Sequence, residues 1–372
     1  LERIDGHAAW LNSLALQLAG IDDETPDPPG GKIVRDNRGK ATGILVDKAM
    51  NLATSKIPPP GDADIANAIR LAISTVAAEG ITSVHDAGIS LQIAEVYLSM
   101  AQDRQLDIRI YAMISGATAA LDAIGKPVPP SADDRLEISA VKLVADGALG
   151  SRGAALLEPY SDDPENRGLP FWTQAELDQK VAKANAMGFQ VAIHAIGDRG
   201  NQLALNAIAA AQGGEPSAFR NRIEHAQVLA LQDIPRFEKL GVIASVQATH
   251  ATSDKNMAED RLGPDRIQGA YAWRRLLDSG AVVANGSDFP VELSNPFHGL
   301  YAAVTRKDRL GEPDGGWYAD QALSREEALR TFTLSAATAA HQEDRLGSLE
   351  SGKWADFIVV DRDYFTIPAD QI

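Results

Sequence analysis

The chain has no cysteine among its 372 residues, which excludes disulfides, thiol nucleophiles and thiolate metal sites. Any metal it binds must be held by nitrogen and oxygen donors. No apolar run approaches the roughly 18 residues of a membrane span, and the start lacks the basic-then-apolar pattern of a leader. A cytoplasmic location is therefore the default, with no membrane partner. Positive charge is also scarce: 35 Lys and Arg against 51 Asp and Glu leave a formal net charge of -16. The cations are scattered rather than patched, so nucleic acid is not an expected partner.

What is present is a hydrophobic fraction of 45%, with 31 Gly and 19 Pro, the composition of an ordinary α/β protein. The length exceeds one usual core, so either a large barrel or two domains is expected. From residue 80 onward one unit recurs: a short run rich in Val, Ile and Ala, a polar loop, then a helical pattern ending near Gly. The strand-like runs are Ile81–Asp86, Leu106–Ile114, Ile138–Asp146, Phe189–Asp198, Ile223–Val228, Val242–Ala248 and Ala281–Asp288. Apolar residues occupy both parities of these runs, as parallel strands covered on both faces require. A (β/α)8 barrel spends roughly 31 residues per unit. His194 and His225 stand one unit apart, His225 and Asp288 two. Lys142 and His194 are separated by one unit plus an excursion, Pro159–Trp172, that reads as a loop over the barrel mouth. An open doubly wound sheet competes, but its G-x-G-x-x-G turn is missing.

Residues 1–79 read as an insertion or lid, with an amphipathic stretch at Trp10–Leu18, a hairpin of Ile33–Arg35 and Gly43–Val46, and a helix over Ala63–Ala78. The barrel is expected over 80–345. Near its end, Ser324 and Glu327 form a capping-box pattern for a helix running through Thr333. Residues 346–372 then carry two strand-like runs, Leu346–Leu349 and Ala355–Asp361, which need a partner sheet and read as a remnant of a small β-sandwich.

Side chains at the carboxyl ends of barrel strands face the active-site mouth. Lys142, His194, His225 and Asp288 sit in or at the ends of four different predicted strands. A strand His is usually a satisfied core group and a strand-end Asp often caps a helix. A Lys within an apolar parallel strand, however, needs something to neutralise or use it. Together the four form a convergent nitrogen and oxygen ligand set for Zn or a similar ion.

The segments Ala140–Gly153, Val191–Asp198, Arg222–Gln227 and Gly286–Val291 resemble the amidohydrolase superfamily, in its family-3 (YtcJ-like) branch. So do Arg3–His7 and Gly347–Asp356, in the same order along nearly the whole chain. The resemblance implies a hydrolase with one or two divalent metal ions, in which Lys142, carboxylated on its amine, bridges the metals. His194 and His225 would ligate one ion, and Asp288 would bind metal and shuttle the proton. The implied reaction is cleavage of C–N bonds in an amide, cyclic amide or N-acyl small-molecule substrate by metal-activated hydroxide. His7, His85 and Arg152 are the substrate-binding candidates, each with a competing reading: a helix-start residue for His7, packing for His85, loop structuring for Arg152. Asp146 and Asp198 read as loop-structuring acids. His250, His298 and His341 read as surface or loop residues. Trp172, Trp273 and Trp317 could line a pocket or pack.

The chain departs from that family in lacking any His-x-His, the motif of the first barrel strand. With seven strands counted, the first strand is expected to be missing. Opening on Leu1 suggests a fragment of a longer product; a natural variant, or Gly43–Val46 filling the strand position, are the alternatives. Such a chain is expected to bind metal weakly or singly, and a truncated, catalytically weak barrel that binds or scaffolds is the second function class. A sugar-processing barrel is disfavoured because the strand ends carry His and Lys rather than paired acids. A homodimer is the base-rate assembly.

Overall fold

The computed structural model describes residues 1–4 and 6–372; Asp5 of the Arg3–His7 segment lies outside them. The first three strands, β1 (Ala8–Trp10), β2 (Gly31–Arg35) and β3 (Ala41–Asp47), form a small antiparallel sheet in the order β1-β3-β2. The expected hairpin is β2 and β3, turning at Asp36–Gly39, where the Asp36 carboxylate accepts from the backbone N–H groups of Arg38 and Lys40. Gly43–Val46 therefore pairs only within this small sheet and is no strand of the larger one.

All seven expected parallel strands form: β4 (Ser83–Ile89), β5 (Arg109–Ser115), β6 (Leu136–Val144), β7 (Gln190–Ala195), β8 (Arg222–His225), β9 (Ile243–Val246) and β10 (Val283–Asn285). They pair in sequence order, from β10 through β9, β8, β7, β6 and β5 to β4, every neighbour parallel. The sheet curls as a half-barrel with helices packed against it. The strands from β6 to β10 all stop two or three residues short of the expected ends, and at two of them this matters for chemistry: β7 ends at Ala195 and Asp198 opens the next helix, while β10 ends at Asn285 and leaves Asp288 in the following turn.

Helices cover the sheet by one-sided burial. Asp62–Ala78 buries Ile65, Ile69, Ile73 and Val76, the stripe of a 3.6-residue period, against the main core. Gln174–Ala186 and Arg325–Phe332 each open on a complete capping box, Thr173 with Glu176 and Ser324 with Glu327; Thr333 is the C-cap of the second. The small sheet has a core of its own, built from Ile21, Ile33, Leu45, Ala49 and Met50. No described helix is long and apolar enough to cross a membrane.

The C-terminal pair of strands is the expectation that the structure corrects. Neither Leu346–Leu349 nor Ala355–Asp361 forms a ladder. The apolar run Phe357–Val360 is there, but among the described residues no strand pairs with it to take its backbone hydrogen bonds. The segment is instead pinned by side chains: Asp356 receives the Arg109 guanidinium at 2.6 and 3.1 Å, and Trp354 Nε1 donates to Asp134 at 2.7 Å. Phe357, Val359 and Val360 are left exposed.

Candidate metal centre

Lys142, His194, His225 and Asp288 gather toward the carboxyl ends of the parallel strands. In β6, Lys142 pairs in register with Ala192, and Val144 with His194 of β7. The next pair across, Ala195 with His225, brings the last residue of β8 beside β7. The His194 and His225 rings meet edge to face at 4.6 Å between centroids. Asp288 follows β10 and reaches the same place from the far edge.

A third imidazole joins them. His250, expected from sequence to be a surface or loop residue, lies instead in the helix Ala248–Asp254 immediately after β9, with its side chain only 11% exposed. It stacks on His225 at 5.7 Å, and its Nε2 is 3.7 Å from Asp288 Oδ2. One donor atom each from His225, His250 and Asp288 falls within 4.8 Å of the others, the one such set of three among the described residues. The missed signal was positional: His250 stands just past a strand, as Asp288 does past β10.

Backbone and side-chain partners aim these groups. His225 has φ of 74°, its neighbour Ala226 43° and Asp288 57°, left-handed conformations that non-glycine residues hold only where the surroundings impose them. The His225 Nδ1 lies 2.7 Å from Gln247 Oε1, so Nδ1 donates and Nε2 is the nitrogen left to act. Burial is the leading cause that pulls the His225 pKa down to about 4, with the Asp288 charge opposing and the Lys142 charge assisting. His194 is driven well below its ordinary value by burial and then by the His225, His7 and Lys142 charges. Both imidazoles are neutral at neutral pH, the state in which imidazole binds metal. Burial likewise lowers the half-buried Lys142 amine, against the raising effect of Glu224 and Asp288.

Two imidazole nitrogens, His194 Nε2 and His250 Nε2, are buried without a hydrogen bond. Buried polar atoms are almost always paired, so the His250 orphan 3.7 Å from Asp288 Oδ2 fits a cation held between them, while the His194 Nε2 lies 3.7 Å from Asp146 Oδ1. The donor chemistry, imidazole and carboxylate without thiolate, suits zinc and its neighbours.

The remaining sequence candidates divide. His7 precedes β1 and is carried to the site by the small sheet: its ring lies 5.2 Å from that of His194, and its Nδ1 is 2.6 Å from Asp47 Oδ1. Asp47, not singled out from sequence, is fully enclosed at its side chain; a Cβ on either Gly147 or Gly153 would collide with its carboxylate. His85 lies deeper, with Nδ1 2.9 Å from an Arg222 nitrogen and its pKa lowered to about 3 by burial and then by that guanidinium. Arg222 also grips Glu224 at 2.5 and 3.1 Å. Although burial alone would raise the pKa of Glu224, Arg222 and Lys142 hold it at about 2. Arg152 does not reach the imidazoles: its guanidinium is committed to Asp162 at 2.9 and 3.1 Å in the mouth loop.

Asp146 and Asp198 are loop-structuring acids. Asp146 accepts from the backbone N–H of Ala155, Ile196 and Gly197, and burial raises its pKa to about 7 against those bonds; Asp198 accepts from Leu157 and Arg199. His341 is exposed and bonds to the Phe219 carbonyl, outside the cluster. Trp273 is a packing residue, buried with the Arg306 guanidinium 4.3 Å from its ring, and Trp172 braces β6 by donating to the Val144 carbonyl at 2.9 Å.

Comparison with known proteins places this geometry. The family model described as "Amidohydrolase family" matches residues 1–372. The protein YtcJ of Bacillus subtilis (strain 168), whose name classes it with the amidohydrolases, is 35% identical over 100% of this chain and 70% of its own length. The N-substituted formamide deformylase of Arthrobacter pascens is 28% identical over 96% of this chain and 67% of its own length. Against the curated relatives matched over nearly all of this chain, it spans 64% to 70% of theirs. The crystal structure of an uncharacterized metal-dependent hydrolase from Pyrococcus horikoshii OT3 superposes with a TM-score of 0.81 at 29% identity, covering 98% of this chain and 71% of that one.

Proposed function

The chain belongs to the amidohydrolase family, and from that premise we propose that it hydrolyses C–N bonds of amide, cyclic amide or N-acyl small molecules with the help of one or two divalent metal ions, zinc first among them. The observation that carries the reading is the convergence of the His225 and His250 imidazoles with the Asp288 carboxylate at the carboxyl end of a parallel sheet, the His250 Nε2 being buried without a hydrogen bond. The formamide deformylase relative supports the bond class, since its name describes removal of an N-acyl group.

The proposed ligands are Lys142, His194, His225 and Asp288. When bound, a divalent cation supplies an acidified water as nucleophile at neutral pH and polarises the scissile carbonyl. The protein does the rest. Asp288, with 37% of its side chain exposed and bordering His250, takes the proton from the attacking water and returns it to the departing nitrogen. Lys142 needs to be neutral to add to CO2, forming a carbamate and releasing one proton; the lowered pKa of its amine favours that state. Gln247 fixes the His225 tautomer, and Asp47 fixes the His7 ring where it can touch the substrate carbonyl. His85 and Arg152 act through neighbours, His85 through the Arg222–Glu224 pair beneath Lys142 and Arg152 through the mouth loop.

The accompanying fold reading is a (β/α)8 barrel whose first strand would sit beside β4, at the open edge. A cytoplasmic setting and a homodimer complete it. The test is a panel of N-formyl and N-acetyl amines, cyclic amides and simple esters, assayed before and after metal removal by a chelator. Turnover of a C–N substrate that disappears on chelation and returns with zinc supports the proposal; cleavage of esters alone would shift it to a different bond class.

A further inference from the structure

Resting on the metal-dependent reading, we propose that His250 is itself a metal ligand, so that His225, His250 and Asp288 form a single-cation site, with Gln247 as the residue that positions His225. These three side chains come from the end of β8, the first turn after β9 and the turn after β10. Their donor atoms lie within 4.8 Å of one another, as donors around one small cation must. Two nitrogens and one carboxylate oxygen leave a coordination position open, the pattern of catalytic rather than structural zinc sites.

Three independent features point to a cation at this spot. The His250 Nε2 is buried and has no hydrogen-bond partner, although its ring is packed by His225 and its Nε2 faces Asp288 at 3.7 Å. Among the described residues, Asp288 has no salt-bridge partner other than His250, and the Lys142 amine feels its charge without forming an ion pair with it. The His225 tautomer is set in advance: Gln247 Oε1 accepts from Nδ1 at 2.7 Å while Gln247 Nε2 points at the Ser245 carbonyl at 3.4 Å, which orients the amide and commits His225 to offer Nε2. His194 and Lys142 stand next to this trio but outside its set of donor atoms. His225 and Asp288 are the members common to both ligand sets.

The test is zinc and cobalt affinity of the whole purified chain, by competition with a chromophoric chelator, together with the visible spectrum of the cobalt form. The variants are His250→Ala, His250→Asn, Gln247→Leu and Gln247→Glu, with His341→Ala as a control remote from the site. His250→Ala and His250→Asn are expected to weaken binding by more than tenfold and to alter the cobalt spectrum. Gln247→Leu is expected to weaken binding by roughly 10- to 100-fold, with Gln247→Glu, which keeps the acceptor, close to the parent. If His225→Ala abolishes binding while both His250 variants keep the parent affinity and spectrum, His250 is not a ligand and the inference falls while the metal-dependent reading stands. A parent chain that binds neither ion overturns both. Should His250→Ala fail to fold, the closer-sized His250→Asn decides the question.

Discussion

Asp288 combines a left-handed backbone, partial exposure and proximity to two imidazoles, and each has a chemical consequence. The backbone strain aims the carboxylate, exposure lets a water reach it, and the imidazoles mark where a cation would hold that water. Asp288→Asn is expected to lower kcat by roughly 10²- to 10⁴-fold, the range of a lost proton-transfer group, while the chain stays folded by circular dichroism. An activity within a few-fold of the parent would remove Asp288 from the proton path. Asp47 makes a second prediction at this scale. Its carboxylate fills the space above Gly147 and Gly153 and grips His7, so Gly153→Ala must displace it. The variant is expected to lose about 1–3 kcal/mol, as when a buried polar group loses its partner, read as a lower urea midpoint. Lys142, His194, His225 and Asp288, the proposed ligands, were singled out from the sequence because polar groups stand out in apolar strands. His250, Gln247 and Asp47 were not, since a helix His, a strand-end Gln and a loop Asp have many ordinary uses and only three-dimensional proximity distinguishes them.

Among the elements, the parallel strands were readable to within a few residues because burial on both faces writes an apolar run that loops and helices do not share. The C-terminal runs show the limit of that signal. An apolar run reports suitability for a sheet, whereas a ladder needs a second backbone, and among the described residues none pairs with Ala355–Asp361. The small sheet joins the half-barrel through a few identifiable contacts besides His7. Lys48 Nζ reaches the Phe171 carbonyl at 3.2 Å and sits 4.7 and 4.6 Å from the rings of Phe171 and Trp172. Lys48→Met removes the hydrogen bond and the cation–π contacts, the latter worth about 0.5–1 kcal/mol at an exposed site. Limited proteolysis is expected to cut within residues 1–50 faster in this variant than in the parent; equal rates would show that the sheet is held by other contacts.

For the whole molecule, buried titratable groups tie stability to pH in opposing directions. His85, lowered to about 3, and Glu224, lowered to about 2, both bind protons more readily in the unfolded chain. Their contributions therefore weaken as pH falls, that of His85 from about 6.5 and that of Glu224 from about 4.5. Asp146, raised to about 7, does the reverse, taking up its proton on folding and costing stability as pH rises from about 4 toward 7. Because the terms overlap, the parent profile does not separate them, but a difference does: His85→Gln is expected to flatten the fall in unfolding free energy between about pH 6.5 and pH 3, measured by urea titration at several pH values. Parallel profiles for variant and parent would mean that His85 does not titrate with the fold.

The central claim is that catalysis belongs to a metal held at the carboxyl ends of β6 to β10. Its most direct test is elemental analysis of the purified chain alongside amide hydrolysis before and after chelation. The account predicts one or two equivalents of a divalent metal, lost in His225→Ala, with hydrolysis falling and returning in step with metal content. Amide hydrolysis that persists undiminished in chain shown to be free of metal would contradict it.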